Sequence, residues 1–152
     1  MQLSMRTDYA LRALFTLADV FPGKPIPIGE LARSNDIPKR FLEHIMLELK
    51  AGGWVSSLAG KHGGYVLARA PGLITMGEVV RHFDGSLAPI ACVSASAYRP
   101  CSQEPVCRFR RVLLDARNMV TRLMDTTTLE SVLRVSPVTH SEVVMGLDGE
   151  GI

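Results

Sequence analysis

The chain of 152 residues is short of the features that announce a location or a chemistry. No stretch approaches the ~18–20 uncharged apolar residues of a membrane span. The opening MQLSMRTDYALRAL carries Asp8 and Arg12 inside its apolar pattern and lacks the basic-then-apolar order of a signal peptide. A cytoplasmic protein with no membrane partner is expected. Cysteine is scarce: there are three, all between Cys92 and Cys107, an odd number in a place where structural disulfides are disfavoured. Internal repeats and low-complexity runs are missing, and the composition excludes a collagen-like, disordered or disulfide-dense chain. Enzyme signatures are missing too, with no G-x-G-x-x-G, Walker loop, H-E-x-x-H or G-x-S-x-G. The four His residues show no acid–base spacing. These absences point away from an enzyme.

What is present fits one compact domain with a real core. The net charge of +2 is unevenly spread: residues 1–70 hold 9 Lys+Arg against 6 Asp+Glu, and residues 71–152 hold 8 against 9. A basic front half is compatible with nucleic acid without demanding it.

The first helix is expected from Ser4, a good N-cap, to about Val20, with Ala10, Leu11, Leu14, Phe15, Ala18 and Phe21 at helical spacing on the core side. Pro22-Gly23 ends it. A short helix over about 29–34, the turn Asn35-Asp36 and a helix over about 38–51 follow. The last of these turns Phe41, Leu42, Ile45, Met46 and Leu49 inward and leaves Lys39, Arg40, Glu43 and His44 on or beside the opposite face. Two short helices across a tight polar turn describe a helix-turn-helix, although any small helix pair has the same periodicity. What comes next decides between them. Residues 54–58 and 65–67 read as paired strands around the Gly-rich loop Ala59–Gly64, with Lys61 and His62 at its tip. Helix-turn-helix and then hairpin is the order of a winged helix, and the tip side chains are placed to meet a phosphate backbone or a minor groove.

Thr75-x-x-Glu78 has the spacing of a capping box and opens a helix to about Phe83. The chain is then irregular to about Glu104, and a segment of that length without structure in a small domain is functional or disordered. From Pro105 a long helix is expected, its stripe Phe109, Val112, Leu113, Ala116, Met119, Val120 and Leu123 suited to pairing with a second copy. Thr127-x-x-Glu130 reads as a second capping box, opening a short helix to about Arg134, and the aperiodic remainder reads as a mobile tail. The expected fold class is mainly α with a small β-hairpin. A winged helix-turn-helix occupies 1–84, a cysteine-bearing loop 85–104, a dimerisation helix with a short C-terminal helix 105–134, and a flexible tail 135–152.

The cysteines stand as Cys92-x8-Cys101-x5-Cys107. This is neither a zinc knuckle nor a C-x-x-C redox pair. Three thiolates on a loop can wrap a larger object, and an iron–sulfur cluster is the common one; three unremarkable free cysteines are the plain alternative. Cys107, expected in the first turn of the long helix with Arg108, Arg110 and Arg111 nearby, has surroundings that favour thiolate. A fourth donor must come from elsewhere, and Asp8, Glu104, His82, His62 or an external thiol are all open.

Several segments together resemble the Rrf family of winged-helix transcription regulators, in its IscR-, NsrR- and RirA-like cluster-binding branch. They are Thr7-Asp8-Tyr9-Ala10-Leu11-Arg12-Ala13-Leu14, Ile37-Pro38-Lys39-Arg40-Phe41-Leu42-Glu43, Gly63-Gly64-Tyr65-Val66-Leu67-Ala68, Ile74-Thr75-Met76-Gly77-Glu78-Val79-Val80, the three cysteines and Thr127-Thr128-Leu129. The resemblance runs in order from residue 1 to about 134. It implies a homodimeric repressor that binds a palindromic site in double-stranded DNA, with an iron–sulfur cluster, [2Fe–2S] or [4Fe–4S], sensing redox, nitric oxide or iron status. It implies Cys92, Cys101 and Cys107 as ligands. Asp8 matches the fourth ligand that the nitric-oxide-sensing branch takes from the partner subunit. Where IscR-like members place a His three residues after the last Cys, this chain has Arg110, which favours Asp8. A second departure is Ala59, where many members carry a minor-groove Arg; either the wing reads DNA less strongly in this chain or Lys61 and His62 substitute. In a protein of this kind Lys39, Arg40 and Glu43 on the third helix are expected to enter the major groove, with His44 a further DNA-binding candidate. A cluster-free repressor that senses through its thiols is an alternative reading, and a small iron–sulfur carrier is one from another class.

Overall fold

The computed structural model describes residues 2–145. Helix α1 (Met5–Asp19) starts where Ser4 accepts the Thr7 amide at 3.2 Å, as the N-cap requires. Helices α2 (Ile28–Ser34) and α3 (Lys39–Ala51) flank a turn in which Asp36 takes a left-handed conformation, φ 53°. The Asn35 amide holds that turn by donating to the Thr16 hydroxyl and the Leu31 carbonyl, both at 2.9 Å. The wing is β1 (Val55–Leu58) paired antiparallel with β2 (Gly64–Leu67), in a register that sets Val55 opposite Leu67. Ile26 adds a two-bond bridge to Tyr65, so the segment before α2 lies along the wing. That approach needs glycine beside it, because a side-chain carbon at Gly64 would fall 2.4 Å from the Ile26 carbonyl.

Helix α4 (Met76–Asp84) packs on α1, and the chain then runs through a 3₁₀ turn at Ala91–Val93 into α5 (Arg110–Thr126), α6 (Leu129–Leu133) and α7 (His140–Met145). The core gathers Leu14, Leu17, Leu31, Leu42, Ile45, Met46, Leu49, Ile74 and Val79, all buried, and Leu129 of α6 returns into it. A backbone bridge between Thr75 and Thr128 secures that return, with Leu129 N donating to Ile74 O at 2.9 Å.

The mainly helical architecture with one small hairpin is as expected, and six details differ. Phe21 lies beyond the end of α1 and is exposed, and Phe41 is 42% exposed, meeting Tyr9 edge-on at 5.7 Å instead of entering the core. The long helix begins at Arg110, because the segment before it is drawn into tight turns, with Glu104 N donating to Cys101 O and Val106 N to Gln103 O, both at 3.1 Å. Cys107 therefore precedes α5 and receives no first-turn placement. The Thr75 cap forms, but the Glu78 carboxylate turns away to Trp54 and Arg69 and leaves the box half made. Thr127 is spent closing α5, so the reciprocal box belongs to Thr128 and Ser131. Beyond Val135 the chain forms α7 where no period was legible; residues 146–152 of the expected tail lie outside the described residues.

Candidate nucleic-acid interface and cysteine cleft

Helix α3 is anchored by Leu42, Ile45, Met46 and Leu49, and helical periodicity then turns Arg40, His44 and Leu47 to solvent. Lys39 and Glu43, one turn apart, face each other at 3.9 Å with side chains 58% and 47% exposed. Arg40 enters no salt bridge among the described residues, so its guanidinium is available. Lys61 and His62 are exposed at the tip of the wing. The wing is tied back to α3 by Lys50 Nζ on the Ser57 hydroxyl at 2.6 Å. The fold thus presents all six residues expected to meet nucleic acid on its surface, four on α3 and two on the wing.

The second feature is a cleft between the irregular segment and the foot of α5. Beside Cys92 the irregular segment is anchored by buried Val93 and Ser94; the Ser94 hydroxyl pairs with Ser86 at 2.7 Å and accepts the Ala97 amide at 2.9 Å. Cys92, Cys101 and Cys107 all line this opening of about 470 Å³, beside Gln103, Arg108 and Phe109. Cys101 is exposed, and Cys92 and Cys107 are half-buried. On the other side of Cys92 and Cys107 lies a hollow of about 350 Å³ lined by Glu104, Arg110 and Arg111. Among the described residues no three His, Cys, Asp or Glu side chains lie close enough to hold a single metal ion. In donor chemistry, three soft thiols around one opening suit a multi-iron, thiolate-bound group better than a single ion.

The candidates for a further ligand have separate places. Asp8, on α1, pairs with Arg12 at 2.7 Å and does not line the cleft. His62 sits on the wing, and His82 on α4 stacks edge-on against Trp54 and Phe83 at 4.8 and 5.0 Å. Glu104 is fully engaged. Its carboxylate accepts the Cys101 amide at 3.2 Å and the Tyr98 hydroxyl at 3.1 Å, and it faces Arg110 at 3.2 Å. The hydrogen bond to that carboxylate, with desolvation and its charge, raises Tyr98 above the usual tyrosine pKa. Arg110 also donates twice to the Cys92 carbonyl, at 3.2 and 2.7 Å. The sequence offered Arg110 as one of the charges near Cys107 and as the residue standing where a His was looked for, and not as a clamp on the loop backbone. Its contacts reach across turns without periodicity, so no spacing announces them.

The Rrf2 family, described as iron-dependent transcriptional regulators, matches residues 3–135. The chain belongs to this family. It is 41% identical over 137 residues to an Rrf2-like HTH-type transcriptional regulator of Rhodobacter capsulatus, covering 86% of this chain and 91% of that protein. It is 32% identical over 133 residues to the HTH-type transcriptional regulator NsrR of Bacillus licheniformis, covering 88% and 92%. The solved structure of CymR, the global cysteine regulator of Bacillus subtilis, superposes with a TM-score of 0.77 at 27% identity, over 90% of this chain and 99% of that one. This Rrf2-family chain is a transcriptional regulator with a winged-helix fold, and these relatives are named as regulators and not as enzymes. No helix among the described residues is long and apolar enough to cross a membrane.

Proposed function

We propose that the chain is a homodimeric, DNA-binding repressor whose affinity for a palindromic operator is set by an iron–sulfur cluster held by Cys92, Cys101 and Cys107, with Asp8 of the partner subunit as fourth ligand. The observation that carries this reading is the convergence of three separated thiols on one cleft. When bound, such a cluster supplies an iron centre that responds to oxidants, to nitric oxide or to iron supply. Every other task falls to the protein. Arg40 reads guanine bidentately in the major groove, Glu43 accepts from cytosine N4, and Lys39 and His44 flank them. Lys61 and His62 hold the backbone and fix the register.

The same reading divides the chain into a winged helix-turn-helix over 1–84, the cysteine loop and a dimerising α5. The exposure of Val112, Met119 and Leu123, 65%, 74% and 65%, favours a second copy on that stripe. Two joined copies would present two α3 helices at a spacing set by the dimer. Ligands drawn from both subunits would bias the angle between those helices, which is how the state of the loop reaches the operator.

The deciding experiment is the visible spectrum, with iron and sulfide assay, of protein purified without oxygen. A brown sample with stoichiometric iron that Cys101→Ala abolishes, together with its effector response, is the expected result. A colourless sample that takes up no cluster on reconstitution overturns cluster control. It would leave sensing to bare thiols, a reading that the exposure of Cys101 favours.

A further inference from the structure

The cysteine loop contains no helix beyond one 3₁₀ turn and no strand, so something else must hold its thiols in relation to one another. Two backbone groups do this through one ion pair. Arg110 grips the carbonyl of Cys92 with Nε and Nη2, and the same Nη2 lies 3.2 Å from Glu104 Oε2. Glu104 Oε1 in turn accepts the amide of Cys101. Cys107 stands three residues before Arg110, at the foot of α5. One guanidinium and one carboxylate therefore connect the backbone of Cys92 and of Cys101 to that helix, which Cys107 shortly precedes in the chain. At 33% and 18% exposure this is the least exposed of the described salt bridges, and charge-assisted bonds in such a setting are the strong ones.

We infer that Arg110 and Glu104 form a latch that positions the cysteine loop on α5, and that Glu104 is not itself a ligand. The carboxylate already accepts from the Cys101 amide and the Tyr98 hydroxyl and is neutralised by Arg110, so ligation would cost all three contacts. Arg110, at the position where a ligand was looked for, donates to the loop backbone. Both are positioning residues. The inference deepens the cysteine-loop reading, but its test does not need iron.

The test uses the full chain, iron-free and reduced. The rate at which iodoacetamide alkylates each cysteine is followed by mass spectrometry, and exchange of the Cys101 amide by hydrogen–deuterium exchange. Loss of a partly buried charge-assisted contact should speed opening by about tenfold. Arg110→Ala should then raise alkylation of Cys92, and Glu104→Ala should raise that of Cys101 while its amide loses protection. The double variant should do no more than the larger single change, because the two act as a unit. Arg110→Lys, able to reach one of the two acceptors, should restore part of the effect. Thermal unfolding followed by Trp54 emission separates a local opening from failure to fold. Unchanged rates in both single variants of intact fold, or fully additive effects, overturn the latch. Should either alanine variant fail to fold, Arg110→Lys and Glu104→Gln carry the same measurement. After anaerobic purification Glu104→Gln should keep its iron; loss of iron with unchanged alkylation would make Glu104 a ligand and overturn the inference. An iron-free wild-type protein would sink cluster control and leave the latch to stand or fall on the alkylation rates.

Discussion

The indole Nε1 of Trp54 donates to Glu78 Oε1 at 2.7 Å, and the same oxygen accepts from Arg69 Nη2 at 2.6 Å. Trp54 leads into β1 and Arg69 follows β2, so one carboxylate on α4 closes the base of the wing. Helix α4 packs on α5, where Arg81 and Asp125 pair at 2.7 Å, and the wing is thereby joined to the cysteine-bearing half by consecutive polar contacts. Glu78→Ala leaves both donors without that acceptor and should destabilise the fold by ~1–2 kcal/mol, with Glu78→Gln milder because it keeps an oxygen. Trp54 is the only tryptophan, so urea unfolding followed by its emission reads this site directly. Equal stability of Glu78→Ala and wild type would mean that the Glu78 carboxylate does not hold the base of the wing.

Arg40 projects from the first turn of α3 without an acidic partner among the described salt bridges, whereas Lys39 and Glu43 engage each other. Arg40→Ala should therefore weaken specific binding by ~1–3 kcal/mol per half-site and relax sequence preference, while Lys61→Ala should weaken all sequences alike and lower the salt slope by about 1. Titration of a labelled operator duplex against a scrambled one, at several salt concentrations, separates the two. Undiminished specificity in Arg40→Ala would remove α3 from the major groove.

The winged helix was legible because each of its parts has a local signature: the Ser4 cap, the Asn35-Asp36 turn, the four buried positions of α3 and the glycines around Lys61 and His62. The cysteines were legible as a group because nothing local explained their clustering. The Arg110–Glu104 latch was not, since its bonds join residues 6 and 18 apart across turns, where no period relates them. The late start of α5 has the same origin, for a capping preference at Pro105 cannot reveal that Glu104 is already committed to Cys101. Phe41 followed the apolar pattern yet lies at the edge of the core, where Tyr9 is its only aromatic partner among the described residues. The ligand role proposed for Asp8 rests on a second chain, and nothing local in the sequence relates α1 of one copy to the cysteines of another.

Helix α5 buries no residue in the isolated chain. Arg110, Leu114, Arg117, Thr121 and Met124 turn toward the body half-covered, while Phe109, Val112, Met119 and Leu123 lie 65–74% exposed on the other side. Met119→Glu should accordingly shift the protein from dimer to monomer at micromolar concentration and leave the winged helix folded. Sedimentation velocity gives the mass, and circular dichroism checks the fold. A dimer that survives the substitution would place the interface on another face.

Asp84 ends α4, and its Oδ2 accepts the Ser4 amide at 3.1 Å, fastening the start of the cysteine-bearing segment to the N-terminus of α1. Burial pushes its carboxyl up, but hydrogen bonds from the Ser4 hydroxyl and amide and the Thr7 hydroxyl, with the charge of Arg6, outweigh that and leave its pKa below the ordinary carboxylate value. A pKa lowered on folding means that the ionised form is the stabilising one. Its contribution is complete above the unfolded value and is lost as the pH falls from there through the folded value. Asp84→Asn should thus be less stable than wild type near pH 7, and the gap should close as the pH is taken below about 4. Urea unfolding at both ends of that range checks it. A gap that stays constant with pH would mean that the amide spoils the geometry of the Ser4 contact, and that the charge at the α1 terminus contributes nothing.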